Sequence, residues 1–85
     1  MKEFSYRITD AAGIHARPAG MLVKEAKRFV SAITVTKGEK TADVKRLFAV
    51  MGLGVKQGEI ITVRAEGIDE ESAVSAITVF LQENL

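Results

Sequence analysis

The sequence predicts an α+β fold, an open-faced β-sandwich of order β-α-β-β-α-β-α. Three observations predict it. Segments that alternate apolar and polar residues are interleaved with segments whose apolar residues recur at helical spacing. The alternating segments are amphipathic, which suits an antiparallel sheet with one wet face. The chain has 85 residues, enough for one core and too few for two. A four-stranded antiparallel sheet covered on one face by three helices is the economical two-layer solution, and residues 1–85 are expected to form a single domain.

The elements follow in order. Phe4, Tyr6 and Ile8 alternate with Ser5, Arg7 and Thr9, which predicts a half-buried first strand. Asp10 to Gly13 is a loop. Pro18 sits in a first helical turn, where its missing N–H costs nothing. Ala19, Leu22, Val23, Ala26 and Val30 then recur at helical spacing, with Lys24, Lys27 and Arg28 outward. That predicts a helix from about Ala16 to Arg28. Gly20 inside it should cost about 1 kcal/mol relative to alanine. Ile33 and Val35 mark a second strand. Lys37-Gly38-Glu39-Lys40 is a hairpin turn, and Ala42 and Val44 mark a third strand. Lys45 to Gly54 reads as a short helix broken by Gly52 and Gly54. Ile61, Val63 and Ala65 mark a fourth strand that Gly67 ends. Asp69 is expected to cap the last helix, with Glu70 and Glu71 favoured by its dipole. Ala73, Ile77, Phe80 and Leu81 form the buried stripe of that helix.

Composition bounds the function. No cysteine is present to build a disulfide, and a lone histidine cannot assemble a common zinc site. The core must come from aliphatic packing, for which 47% hydrophobic content suffices. The first residues lack the apolar core of a signal peptide, and no stretch approaches the roughly 18 apolar residues of a membrane span. A cytoplasmic location follows as the default. A net charge of +1 is too small for general nucleic-acid binding. Lys24, Lys27 and Arg28, and then Lys40, Lys45 and Arg46, cluster locally. They read as a solvated face or as a docking site for an acidic partner.

The candidate chemistry lies in Gly13-Ile14-His15-Ala16-Arg17-Pro18-Ala19, which holds the only histidine and the only proline. No G-x-x-x-x-G-K-[ST] loop and no G-x-G-x-x-G is available for a nucleotide. A Ser-His-Asp set cannot be argued, and capping and solvation account for Glu66, Asp69, Glu70 and Glu71. A lone histidine is often merely structural or exposed. Three neighbours argue otherwise here. Gly13 permits an unusual turn just before His15, Pro18 sets a helix start just after it, and Arg17 offers a guanidinium for phosphate. The unpaired N–H groups of Ala16 and Arg17 and the helix field suit an anion there, with Pro18 completing the helix start. The same field favours a neutral, nucleophilic imidazole.

The run Gly-Ile-His-Ala-Arg-Pro-Ala resembles the phosphorylation-site signature of HPr, the histidine-containing phosphocarriers of the bacterial sugar phosphotransferase system. The resemblance spans essentially the whole chain and includes Leu47-Phe48-Ala49-Val50-Met51-Gly52-Leu53-Gly54. It implies a stoichiometric phosphocarrier, not an independent enzyme, with no cofactor. By this resemblance, His15 accepts phosphate on Nδ1 from phospho-enzyme I and passes it to IIA domains of sugar permeases, with Arg17 steadying it. Both partners would dock on Ala16, Gly20, Lys24 and Lys27 of the first helix and on Leu47, Phe48 and Met51 of the second. Ala49, Val50 and Leu53 would then fill the core, although without the resemblance core packing is the stronger reading of Leu47, Phe48 and Met51. A monomer is expected, since partners must reach His15 in turn.

Two positions depart from the family. Gly20 stands where a small side chain such as alanine or threonine is common. Arg46 stands where many Gram-positive members have a regulatory serine, so serine-linked control has no hydroxyl there. Ser5, Ser31, Ser72 and Ser75 lie elsewhere and are expected to play no special role. Two further readings remain open at this point. One is a regulatory paralogue of the nitrogen-related branch that acts by protein binding. The other is an interaction module in which His15 binds an anion without being phosphorylated.

Overall fold

A computed structural model describes all of Met1–Leu85. The elements are β1 (Lys2–Arg7), α1 (Ala16–Ala26), β2 (Ala32–Lys37), β3 (Lys40–Asp43), α2 (Leu47–Gly52), β4 (Ile60–Glu66) and α3 (Glu70–Asn84). The strands form one sheet in the order β1-β4-β2-β3, antiparallel throughout. The expected fold class and element order are therefore observed.

Period-two patterning sorts the sheet into two faces. Ile33 and Val35 of β2, Ala42 of β3, and Ile61, Val63 and Ala65 of β4 are buried beneath the helices. They meet Leu22, Val23 and Ala26 of α1 and the stripe Ala73, Ile77, Phe80 and Leu81 of α3 in one hydrophobic cluster. Phe80 is the only aromatic ring among the buried residues, so the core is aliphatic, as the composition requires. The open face is polar. Ser5, Thr62, Thr36 and Thr41 stand in register across all four strands. Ser5 and Thr62 hydroxyls lie 3.0 Å apart, and so do those of Thr36 and Thr41. Glu3 and Arg64 pair at 2.9 Å in the neighbouring row.

Two local expectations need correction. The first helix ends at Ala26, not near Arg28, and Val30 leaves its stripe to stand 75% exposed. The chain must turn back there to begin β2, and that overrides the helical spacing. Asp69 does occupy the position before α3, but its carboxylate makes no cap bond to that helix. It reaches instead across the fold to the loop between α1 and β2. There it accepts the amide N–H of Val30 at 3.0 Å, the amide N–H of Ser31 at 2.9 Å and the Ser31 hydroxyl. Ser31 is 1% exposed, so it has a structural role that the sequence reading denied it. Gly67 makes the clasp possible, since a Cβ on it would lie 2.6 Å from the Ser31 hydroxyl oxygen.

Candidate phosphate site at the start of the first helix

The site is built by a loop that can adopt its shape only with glycine at position 13. Asp10 starts it, accepting the Ala12 amide on its side chain at 2.8 Å and the Gly13 amide on its carbonyl at 3.0 Å. Gly13 then takes φ +68°, which L side chains rarely adopt. It also packs against Val55, whose carbonyl oxygen would lie 2.3 Å from a Cβ at position 13. The Ile14 amide donates to that same carbonyl at 3.1 Å, and Ile14 is buried. These contacts anchor the chain immediately before His15.

His15 is the residue before α1, in extended conformation with φ −100° and ψ −178°. Its side chain is exposed and makes no cap bond, and no hydrogen bond or ion pair within the fold engages its ring. Its carbonyl accepts the Ala19 amide at 2.9 Å, the first bond of the helix. The amides of Ala16 and Arg17 precede that bond and have no intrahelical acceptor, while Pro18 has no N–H to leave unpaired. Pro18 and Ala19 are buried and fix the helix to the core; Ala16 and Arg17 are exposed. His15, Arg17 and Pro18 line one open depression of about 220 Å³ with Asp10, Met21 and Asn84. An anion there would meet a free imidazole, a guanidinium and two helix-start amides.

Sequence reasoning missed Met21, Asp10 and Asn84. Met21 sits one helical turn past Arg17, and its place was legible. Asp10 has a signal of its own, an acidic residue three before a glycine in a loop. Asn84 has none, because only the return of α3 across the sheet brings it to His15. That return is fastened by Leu85, whose carbonyl accepts the Thr9 amide at 2.6 Å, the Asp10 amide at 2.9 Å and the Thr9 hydroxyl at 2.8 Å.

The remaining candidates fall on α1, on Lys27 just past its end and on α2, and the two helices are in contact. Ala16, Gly20, Lys24 and Lys27 follow helical spacing, so they share a stripe. Ala16, Lys24 and Lys27 are exposed and Gly20 is half-buried. On α2, Phe48 is 85% exposed, Met51 36% exposed and Leu47 half-buried. Val50 and Leu53 are buried and Ala49 is half-buried, so the core takes the opposite face of this helix. Half of the cations in the chain make ion pairs or bond a carbonyl: Lys2, Arg7, Arg28, Lys37, Lys45 and Arg64. Arg17, Lys24, Lys27, Lys40, Arg46 and Lys56 do not. Four of these six, Arg17, Lys24, Lys27 and Arg46, lie on or beside α1 and α2.

No helix is long and apolar enough to cross a membrane. Comparison with known proteins agrees with this geometry. The family model for the "PTS HPr component phosphorylation site" matches residues 2–83. A phosphocarrier protein HPr of Buchnera aphidicola is 47% identical over 75 residues, covering 88% of each chain. One from Lysinibacillus sphaericus is 46% identical over 83 residues, covering 98% of this chain and 94% of its own. A solved histidine-containing phosphocarrier protein from Mycoplasma superposes with a TM-score of 0.94 at 41% identity, over 96% of this chain and 93% of its own. A match of that extent, over a fold with a free histidine at the start of its first helix, places this chain in the HPr family of phosphotransferase-system phosphocarriers.

Proposed function

We propose that this protein relays a phosphoryl group from phospho-enzyme I to the IIA domains of sugar permeases, through phosphohistidine at His15. The observation that carries this reading is the exposed imidazole with no partner in the fold, sharing one depression with Arg17 at a helix start. In the forward step the lone pair of Nδ1 attacks phosphorus. The N–P bond to His15 forms as the bond to the donor's side chain breaks, and the electron pair of that bond returns to the donor. The transfer to IIA is the same exchange with the roles reversed. Arg17 and the amides of Ala16 and Arg17 hold the phosphate oxygens through charge-assisted hydrogen bonds. On this reading the protein acts as a stoichiometric carrier, each phosphoryl group received being passed on to the acceptor.

Docking would use the stripe Ala16, Gly20, Lys24 and Lys27 with Leu47, Phe48 and Met51. A small apolar patch rimmed by unpaired cations suits partners with an acidic, partly apolar surface. We place the protein in the cytoplasm as a single-domain monomer, which leaves His15 open to each partner in turn.

Incubation with phosphoenolpyruvate and a bacterial enzyme I tests the relay. An acid-labile mass gain of one phosphate is expected, absent in His15→Ala. Arg17→Gln should slow transfer by about tenfold to a hundredfold, the worth of one hydrogen bond to a charged group. No mass gain in the unsubstituted protein would leave only a binding module.

A further inference from the structure

Lys37 is a cation placed where the alternation of β2 calls for an apolar residue. It follows Ile33 and Val35 on the helix-covered face of that strand, and its side chain is 26% exposed. A cation held that far out of water needs its donors satisfied. An ammonium has three donors. Three acceptors meet this one: the carbonyls of Leu53 at 3.2 Å and Gly54 at 3.0 Å, and the Glu59 carboxylate at 3.1 Å. Glu59 is itself held, accepting the Lys56 amide at 2.6 Å. That amide, and then Lys37, keep its carboxyl below the ordinary value of 4.5, so the pair is ionised at neutral pH.

These acceptors lie at the end of α2 and in the turn before β4. The Leu53 amide donates to the Val50 carbonyl at 3.2 Å and the Gly54 amide to the Met51 carbonyl at 3.1 Å, which closes α2. The helix has no basic residue in its own last turn. Lys37 supplies, from another strand, the cation that a helix C-terminus favours. The next residue, Val55, offers its carbonyl to the Ile14 amide at 3.1 Å. A continuous series of bonds thus leads from Lys37 through Gly54 and Val55 to the residue before His15. The docking helix and the His15 loop share one anchor. Lys37, Gly54 and Val55 themselves lie outside the depression around His15.

We propose that Lys37 is a positioning residue for the relay. It holds α2 and the His15 loop at a fixed separation, so that a partner seated on Phe48 and Met51 meets the imidazole at the same time. This rests on the relay reading and adds to it a residue remote from the phosphate.

Two measurements on the full chain test it. The variant is Lys37→Met, which keeps the length of the side chain and removes its donors. Ile77→Val, a trim of the core under α3, serves as a control for global destabilisation. In amide exchange, Lys37→Met should speed Ile14, Val50 and Leu53 about tenfold beyond any change at the central strand β4. Ile77→Val should not single out those three. With phosphoenolpyruvate and enzyme I, Lys37→Met should raise KM for this chain about threefold to tenfold, the worth of roughly one hydrogen bond, at unchanged kcat. Lys37→Arg, which keeps a cation with several donors, should restore it. The exchange measurement needs no phosphoryl donor, so it decides the clamp even where the relay itself fails. Exchange at Ile14 that merely follows β4 would overturn the proposal. So would an equal rise in KM in Ile77→Val.

Discussion

At the scale of single residues, two glycines near the site make opposite predictions. Gly13 holds φ +68° against the Val55 carbonyl, so Gly13→Ala meets both a strained backbone and a steric collision. Its cost should be at least about 2 kcal/mol, read as a lower urea midpoint. Gly20 lies in α1 with nothing within 4 Å of where a Cβ would stand. Gly20→Ala should therefore raise stability by about 0.5–1 kcal/mol, through helix propensity and a less flexible unfolded chain. For a domain of this size that is a rise of roughly 3–6 °C in Tm. His15, Arg17 and Pro18 were legible because they are adjacent in sequence and their chemistry is local. The clasp of Asp69 on Ser31 was not, because a serine in a loop and an aspartate before a helix each look locally satisfied. Only a tertiary contact across 38 positions gives them their role.

At the scale of elements, the strands and α3 were legible because their periods are clean. The buried residues of α3 are those its spacing predicts. The end of α1 was less so. Val30 continues the apolar spacing, but the reversal into β2 stops the helix a turn earlier. The short α2 shows how one element can divide its labour. Val50 is fully buried, while Phe48 lies two positions earlier and 85% exposed. Phe48→Ala should accordingly change stability by no more than about 0.5 kcal/mol, while weakening enzyme I binding tenfold or more. Chemical denaturation and calorimetric titration of the same variant check both halves. A large stability loss with unchanged affinity would refute the docking role. Lys37 braces the region, donating to the carbonyls of Leu53 at 3.2 Å and Gly54 at 3.0 Å and pairing with Glu59 at 3.1 Å.

At the scale of the whole molecule, the net charge of +1 conceals a separation. Unpaired cations gather near His15 and α2, while Glu66, Asp69, Glu70 and Glu71 gather where β4 gives way to α3. Composition could not reveal this, because it averages over the surface. The second region also contributes to the response to acid. The Ser31 hydroxyl, then the Val30 and Ser31 amides, hold the Asp69 carboxyl below its ordinary value of 3.8. The unfolded chain therefore binds a proton there more readily, so stability is full above about pH 4 and falls as pH drops through the lower folded value. Tm should decline between about pH 4 and 2, and less steeply in Asp69→Asn, whose side chain does not titrate. An equal decline in both would show that other carboxylates dominate. The hydroxyl row across the open sheet has a practical consequence of another kind. No candidate site residue lies on that face, and the chain has no cysteine. Thr34→Cys, at the middle of β2 on the open side, would supply a single thiol by which the protein can be tethered or labelled with its helices turned outward, so a chip or a fluorophore could follow every docking event without standing in its way.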